Sequence, residues 1–211
     1  MNDKFFTLPK KKQHTIIEAG FRIFSLTSYK KTPVSDIASE ANISKSLLFH
    51  YFKNKKELYL FLWNHAAKIS IHALSQEKCY EEGNIFDRME RGMEAKFRLI
   101  RRYPYMANFV LRAFYEKDDD IRQAIQESYT KLFAKKEERL LKTLNPEDYK
   151  PGLDLHMMVQ QMYLASEGYL WQMVHTTELD PLQMEQDFRN MLAFWRSVYE
   201  NKEGEDVYES N

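Results

Sequence analysis

The chain has 211 residues, 44% hydrophobic and 14% aromatic, with only six glycines and six prolines; such a composition excludes a disordered chain and argues against a turn-rich all-β protein. Formal net charge is zero, yet residues 1–56 hold eleven basic and four acidic side chains, a net +7, while the remaining residues hold 20 basic and 27 acidic ones, a net −7. A basic front on an acidic body is the polarity expected of a molecule that meets a polyanion at one end.

Apolar residues recur with a helical period along the whole chain, and no alternating strand pattern competes, so the expected fold is all-α with about nine helices. The first helix reads from about Lys10 to Leu26, with Ile16, Ile17, Gly20, Phe21 and Phe24 on one face. After a break at TSYKKT, Thr32 suits an N-cap, Pro33 a first helical position, and Asp36 the first turn of a short second helix. Val34, Ile37, Ala38 and Ala41 then form a buried stripe. Asn42 stands where a left-handed turn residue is wanted, and Ser44 can cap a third helix that turns Leu47 and Leu48 inward.

A fourth helix is expected from near Asn54 to about Gln76, and a fifth from Ile85 to Arg102. Pro104 opens a sixth that reaches about Tyr115. Three aspartates, Asp118 to Asp120, mark the start of a seventh that ends near Leu144. The eighth spans about Leu153 to Val174 and the ninth Pro181 to Tyr199. The acidic, polar residues 201–211 are expected to be disordered. The domain division that follows is 1–53, a helix-turn-helix head, 54–200, a helical body, and 201–211, a tail.

Two short helices joined by a tight turn in a basic region suit a helix-turn-helix, although the same spacing also suits an ordinary helical hairpin. Ala38 is small where the helices must cross, Asn42 can take the turn, and Leu48 closes the inner corner. Lys45, Ser46, Phe49 and His50 would then lie on the outer face of the second short helix, within reach of a major groove.

The segment containing Ile16, Ala19, Phe24, Tyr29, Thr32, Ile37, Ala38, Ser44, His50, Tyr51, Phe52, Lys55 and Leu58 resembles, at matching spacings over about fifty residues, the N-terminal domain of the tetracycline-repressor (TetR) family. It departs from the family pattern at Phe49, where Tyr is common, and at Ser28 and Asn42, where Gly is usual. The resemblance implies a DNA-binding transcriptional regulator, acting as a dimer on a palindromic double-stranded operator and releasing it when a small molecule binds. It implies phosphate contact by Thr32, through its hydroxyl and backbone N–H, and by Lys55. Lys45, Ser46, Leu47 and Phe49 would lie in or beside the groove, with His50 and Tyr51 between base edges and backbone. Lys10 to Lys12 would add a flexible basic arm or a solvated tail. The sign of control, repression or activation, stays open, with repression the expected mode.

In the family the last two helices pair with their symmetry mates. Here both are apolar over more than one stripe, which points to Leu155, Val159, Met162, Phe188, Met191, Trp195, Val198 and Tyr199 as a homodimer interface. The helices between would enclose a site for a small apolar or cationic inducer. Phe61, His65, Met93, Phe97, Phe109 and Phe133 are candidate apolar lining, where Met and aromatic residues adapt to varied ligands. Tyr163, Glu167 and Trp171 lie one turn apart on one helix face, an arrangement that could hold a cation.

Other chemistry finds little support. The six histidines are scattered, and there is no paired-cysteine or zinc motif, no phosphate-cradling glycine loop and no arrangement suggesting a catalytic triad. Neither an enzyme, a cofactor nor a metal is therefore expected. A helical adaptor that binds a partner protein and ignores DNA is the alternative, though it leaves the +7 front unexplained. Cys79 is the single cysteine, which rules out an intrachain disulfide and fits a reducing compartment. No apolar run approaches the roughly 18 to 20 residues that span a bilayer, and the opening segment lacks a signal-peptide core, so a cytoplasmic protein without a membrane partner is expected.

Overall fold

The computed structural model describes residues 3–78, 83–176 and 180–201, with the side chains of 132–139 and 174–176 left out of the description. Cys79, the side chain of Phe133 and nearly all of the acidic tail therefore lie outside the described residues. The protein is all-α: α1 (Lys10–Leu26), α2 (Val34–Glu40), α3 (Lys45–Tyr51), α4 (Lys55–Gln76), α5 (Ile85–Arg102), α6 (Pro104–Phe114), α7 (Asp119–Lys142), α8 (Leu155–Thr176) and α9 (Pro181–Tyr199). One-turn 3-10 helices at Asp3–Phe5 and Pro146–Asp148 add to these. Among the described residues there is no strand, only an isolated antiparallel bridge between Tyr149 and Glu200.

Helix boundaries follow local chemistry. Ser44 caps α3 by accepting the Leu47 N–H at 3.1 Å, and Asp180 caps α9 by accepting from Leu182 and Gln183. At the start of α4 two side chains cap the chain: Asn54 Oδ1 accepts the Glu57 N–H at 2.8 Å, and Glu57 Oε2 accepts the Lys53 N–H, one residue before the cap, at 2.9 Å. The second helix begins one residue later than its sequence suggests. Pro33, not Thr32, is the N-cap of α2, and it makes no side-chain cap bond.

The chain forms two compact units, residues 1–71 with 99–132, and residues 72–98 with 133–211. In the first, α1 packs on α2 and α6, and the core is built on Ile16, Phe21, Phe24, Leu48, Leu62 and Phe109. Gly20 lets α1 approach α4: a Cβ there would stand 2.6 Å from Leu62 Cδ1, and Leu62 is wholly buried. Gly20→Val is therefore expected to cost about 1–3 kcal/mol by overpacking, seen as a lower urea midpoint at an unchanged slope. An unaltered midpoint would mean that α1 and α4 separate freely.

In the second unit, buried Phe86, Phe97, Met158, Met162, Met184 and Trp195 supply the core. The C-terminal end of α9 is tied to the start of α5. The Arg196 guanidinium donates to Asp87 at 2.7 Å and to Glu200 at 2.8 Å, and lies 5.5 Å over the Phe86 ring. The Tyr149 hydroxyl accepts the Ile85 N–H at 3.1 Å, and burial raises the pKa of that phenol.

Candidate nucleic-acid interface

The turn between α2 and α3 is a complete helix-ending motif. Asn42 adopts φ 50°, its N–H donates to Ser39 O at 3.0 Å, and the Ile43 N–H donates to Ala38 O at 2.9 Å. The Ser39 and Ala38 carbonyls of α2 are thereby satisfied, the two bonds of a helix-ending motif. Asn is among the few side chains that accept this backbone region. Together with the Ser44 cap, the turn fixes the direction in which α3 leaves.

Leu48, fully buried, and Tyr51 face the interior from α3, while Lys45, Ser46 and His50 are exposed on its other side. The Lys45 ammonium lies 5.8 Å over the half-buried Phe49 ring. Between α2 and α3 runs an open groove of about 590 Å³, lined by Ser35, Ser39, Asn42, Ser44 and Lys45, with Ala38 and Ile43 beneath. Short hydroxyls beside a lysine are chemically suited to phosphate oxygens and base edges. Ser35 and Ser39 are not singled out by the sequence reading, and Ser44 is singled out there only as a cap and as part of the family resemblance. Their signal was the serine spacing across the two short helices.

Three expected contacts are placed differently. Thr32 is only 2% exposed: its hydroxyl donates to Ser28 O at 3.0 Å, lies 2.7 Å from the Thr27 hydroxyl, and its backbone N–H turns to Ser28 O. In this conformation neither group is offered to a phosphate. Tyr51 is 6% exposed, its ring against Phe5 and His50, so it anchors α3 from the inside. Leu47 is half-buried and packs on the core.

Lys55 is partly buried and already engaged. Its ammonium lies 4.6 Å over the Tyr29 ring and 3.4 Å from Lys30 O. Burial pulls its pKa down, and Asp118 and Glu116 oppose that. Tyr29 is itself held, its N–H donating to Glu116 Oε2 at 2.8 Å. Burial, then Asp118, Asp120 and Glu116, raise the Tyr29 phenol. The head is thus joined to the α6–α7 loop through a carboxylate 87 residues further along the chain.

The candidate ligand residues fall in separate settings. Phe109 is a fully buried core residue of the first unit, against Phe21, Phe24 and Tyr59. Phe61 and His65 stack on each other at 6.0 Å. Met93 and Phe97 are buried residues of α5 in the second unit. Tyr163 and Trp171 are exposed on α8, with Glu167 half-buried between them. Among the described residues no group of three or more His, Cys, Asp or Glu could hold a metal ion, and no helix is long and apolar enough to cross a membrane.

His65 carries a pH dependence. Burial lowers its pKa, and Lys68 and His14 lower it further, so the folded state favours the neutral imidazole. With the folded pKa below the unfolded value of 6.5, its contribution to stability is complete above that value and is lost as pH falls from there through the lower folded pKa. His65→Gln is expected to reduce the drop in thermal midpoint between about pH 7.5 and 5.5. Parallel curves for the two proteins would contradict this.

The candidate dimer residues divide by burial. Val159, Met162 and Trp195 are buried within their own unit and support the helix pair from inside. Leu155, Phe188, Met191 and Tyr199 are half-buried, and Val198 is exposed. The large exposed apolar side chains of these helices are Met157, Tyr163, Leu164 and Trp171 on α8 and Leu182, Phe194 and Val198 on α9.

Residues 16–61 match the family profile described as bacterial regulatory proteins, tetR family. A curated relative, the uncharacterized HTH-type transcriptional regulator YuxN of Bacillus subtilis (strain 168), is 38% identical over 56 residues, 26% of this chain. That match spans only 19% of the relative's length. Among solved structures, the TetR family transcriptional regulator PfmR from Thermus thermophilus is 19% identical, with TM-score 0.66 over 92% of this chain and 100% of that one. The fatty acid degradation regulator FadR from Bacillus halodurans is 16% identical, with TM-score 0.64 over 85% and 96%. A TetR-like transcriptional regulator from Rhodococcus sp. RHA1 is 17% identical, with TM-score 0.63 over 90% and 97%. At these identities the structural likenesses speak for the fold alone.

Proposed function

This chain belongs, by its residues 16–61, to the tetR family of bacterial regulatory proteins, and from that premise we infer that it is a dimeric, ligand-responsive repressor of transcription. Residues 1–53 read a palindromic operator and residues 54–200 bind the inducer and the second copy. The observation that carries this reading is the outer face of α3. Lys45, Ser46 and His50 are exposed on a helix fixed at one end by the Ser44 cap and the Asn42 turn, within the part of the chain that holds the +7 charge. Lysine and the groove hydroxyls supply phosphate contacts that set register, and His50 with Ser46 reaches base edges. Lys55 acts from the side, through its stack on Tyr29.

Two heads must be spaced by about one turn of duplex, roughly 34 Å, and a twofold dimer provides that spacing. The dimer face is assigned to Met157, Leu164 and Trp171, which recur every seventh residue on α8, with Phe194 and Val198 one turn apart on α9. Gly168 lies on the same α8 stripe with open space beside it, so a second helix can come close. A small apolar or cationic inducer bound by the helical body shifts α4 and changes the spacing of the heads. A difference of a few kcal/mol in affinity between the two states is enough to release DNA.

Selection of bound fragments from random duplex DNA tests the reading. An inverted repeat with half-sites about one turn apart is expected, with affinity that falls steeply as salt rises. Recovery of no sequence, with no retardation of duplex at low salt, would leave the partner-protein adaptor as the better account.

A further inference from the structure

We propose that residues 3–8 form a strap that holds the C-terminal turn of α3 at its reading angle, with Phe5 as the positioning residue. The proposal rests on the DNA-reading function above. The strap lies upstream of residues 16–61, the segment matched by the family profile, so it is a feature of this chain beyond that match.

Three observations carry it. First, Phe5 is completely buried although it lies outside helices α1 to α9, and its ring meets Tyr51 at 6.0 Å, Phe52 at 5.1 Å and Phe61 at 5.2 Å. Tyr51 is the last residue of α3, Phe52 its C-cap, and Phe61 belongs to α4. One ring thus joins the end of the recognition helix to the helix that follows. Second, α3 has only seven residues. A helix of two turns has little stability of its own and depends on its packing. Its buried anchors are Leu48 and Tyr51, and Phe5 packs against the second of these. Third, the strap is itself fastened. The buried Gln13 amide donates to Phe6 O at 3.1 Å and Leu8 O at 2.8 Å. The Phe6 N–H donates to Asp3 O at 2.9 Å, and the Thr7 hydroxyl to Lys4 O at 2.8 Å.

Loss of Phe5 leaves Leu48 and the Ser44 cap holding the first turn of α3, while the turn carrying His50 loses its backing. A reading group that is loose by even about 1 Å loses most of its contribution to recognition. Phosphate contacts made by flexible lysines tolerate such movement, because they carry no sequence information.

The test uses the full chain with Phe5→Ala, Phe5→Leu and Gln13→Ala. Amide exchange of residues 48–52 without DNA, and affinity for the selected duplex and for a random duplex across a salt series, are measured for each. Phe5→Ala is expected to speed exchange at 48–52 at least about tenfold, with α1 core amides unchanged. It should lower affinity for the selected duplex by about 10- to 100-fold, while affinity for random duplex and its salt slope stay the same. Gln13→Ala should move both readouts the same way by less, and Phe5→Leu should recover most of the loss.

Unchanged exchange at 48–52, an equal loss on both duplexes, or a salt slope reduced by about one, which would make the strap a phosphate-binding arm, would each overturn the proposal. If the wild-type chain prefers no duplex, the DNA-reading function fails, and the exchange arm still decides whether the strap holds α3.

Discussion

Replacing Lys45 and His50 together by alanine is expected to lower affinity for the selected duplex by about 100-fold or more, at roughly 1–3 kcal/mol for each lost contact, with helix content and thermal midpoint near those of the wild type. The separation of binding from stability follows from their placement. Lys45 is exposed, its ammonium over the half-buried Phe49 ring. His50 is exposed, with its ring edge-on to Tyr51 at 5.7 Å. The two losses should also differ in kind. Lys45→Ala alone should weaken all duplexes similarly and lower the salt slope by about one, as a phosphate contact does. His50→Ala alone should leave the slope intact and relax preference at one base position of each half-site. Gel retardation across a salt series measures both. Binding that survives the double substitution would remove α3 from the groove.

The parts of this site that were readable in the sequence are those decided by adjacent residues. Asn42 is legible because few residues tolerate φ 50°, and Ser44 because a short hydroxyl before an apolar run has one straightforward use, capping. Tyr51 is buried where the resemblance sets it at the DNA, although its period is informative. It stands three residues after Leu48, on the same inner stripe, and that spacing outweighs the motif that would set it on the DNA. Thr32 depended on where α2 starts, and a shift of one residue turned its hydroxyl inward.

Lys55 and Phe5 depend on contacts that no local pattern encodes. Glu116 reaches Tyr29 from 87 positions away, and in the short segment of Phe5, Phe6, Thr7 and Leu8 no periodicity says which aromatic ring goes inward. In α8 the difficulty was different. Apolar residues surround that helix, so composition cannot say which stripe is internal. Packing assigns Met158, Val159 and Met162 to the core and leaves Met157, Leu164 and Trp171 outside.

That division makes the proposed dimer face a sharp target. Leu164→Glu combined with Trp171→Glu is expected to convert the protein to a monomer in sedimentation, and to reduce operator affinity by about 100-fold or more because each head then binds without its tethered partner. Leu164 is 59% exposed and Trp171 52% exposed in the single chain, so neither substitution opens a cavity, and the monomer should keep its helix content. In a twofold interface each carboxylate would be placed twice against an apolar surface, which multiplies the cost of burying an unpaired charge. The control is Phe194→Ala, which shortens the α9 side of the same face without adding charge and should weaken the dimer less. If the double-glutamate protein stays dimeric and binds as before, α8 meets solvent along this stripe, and the copies must join elsewhere. If it becomes monomeric and yet binds with undiminished affinity, the spacing of two heads is not what selects the operator, and recognition by a single head must account for it.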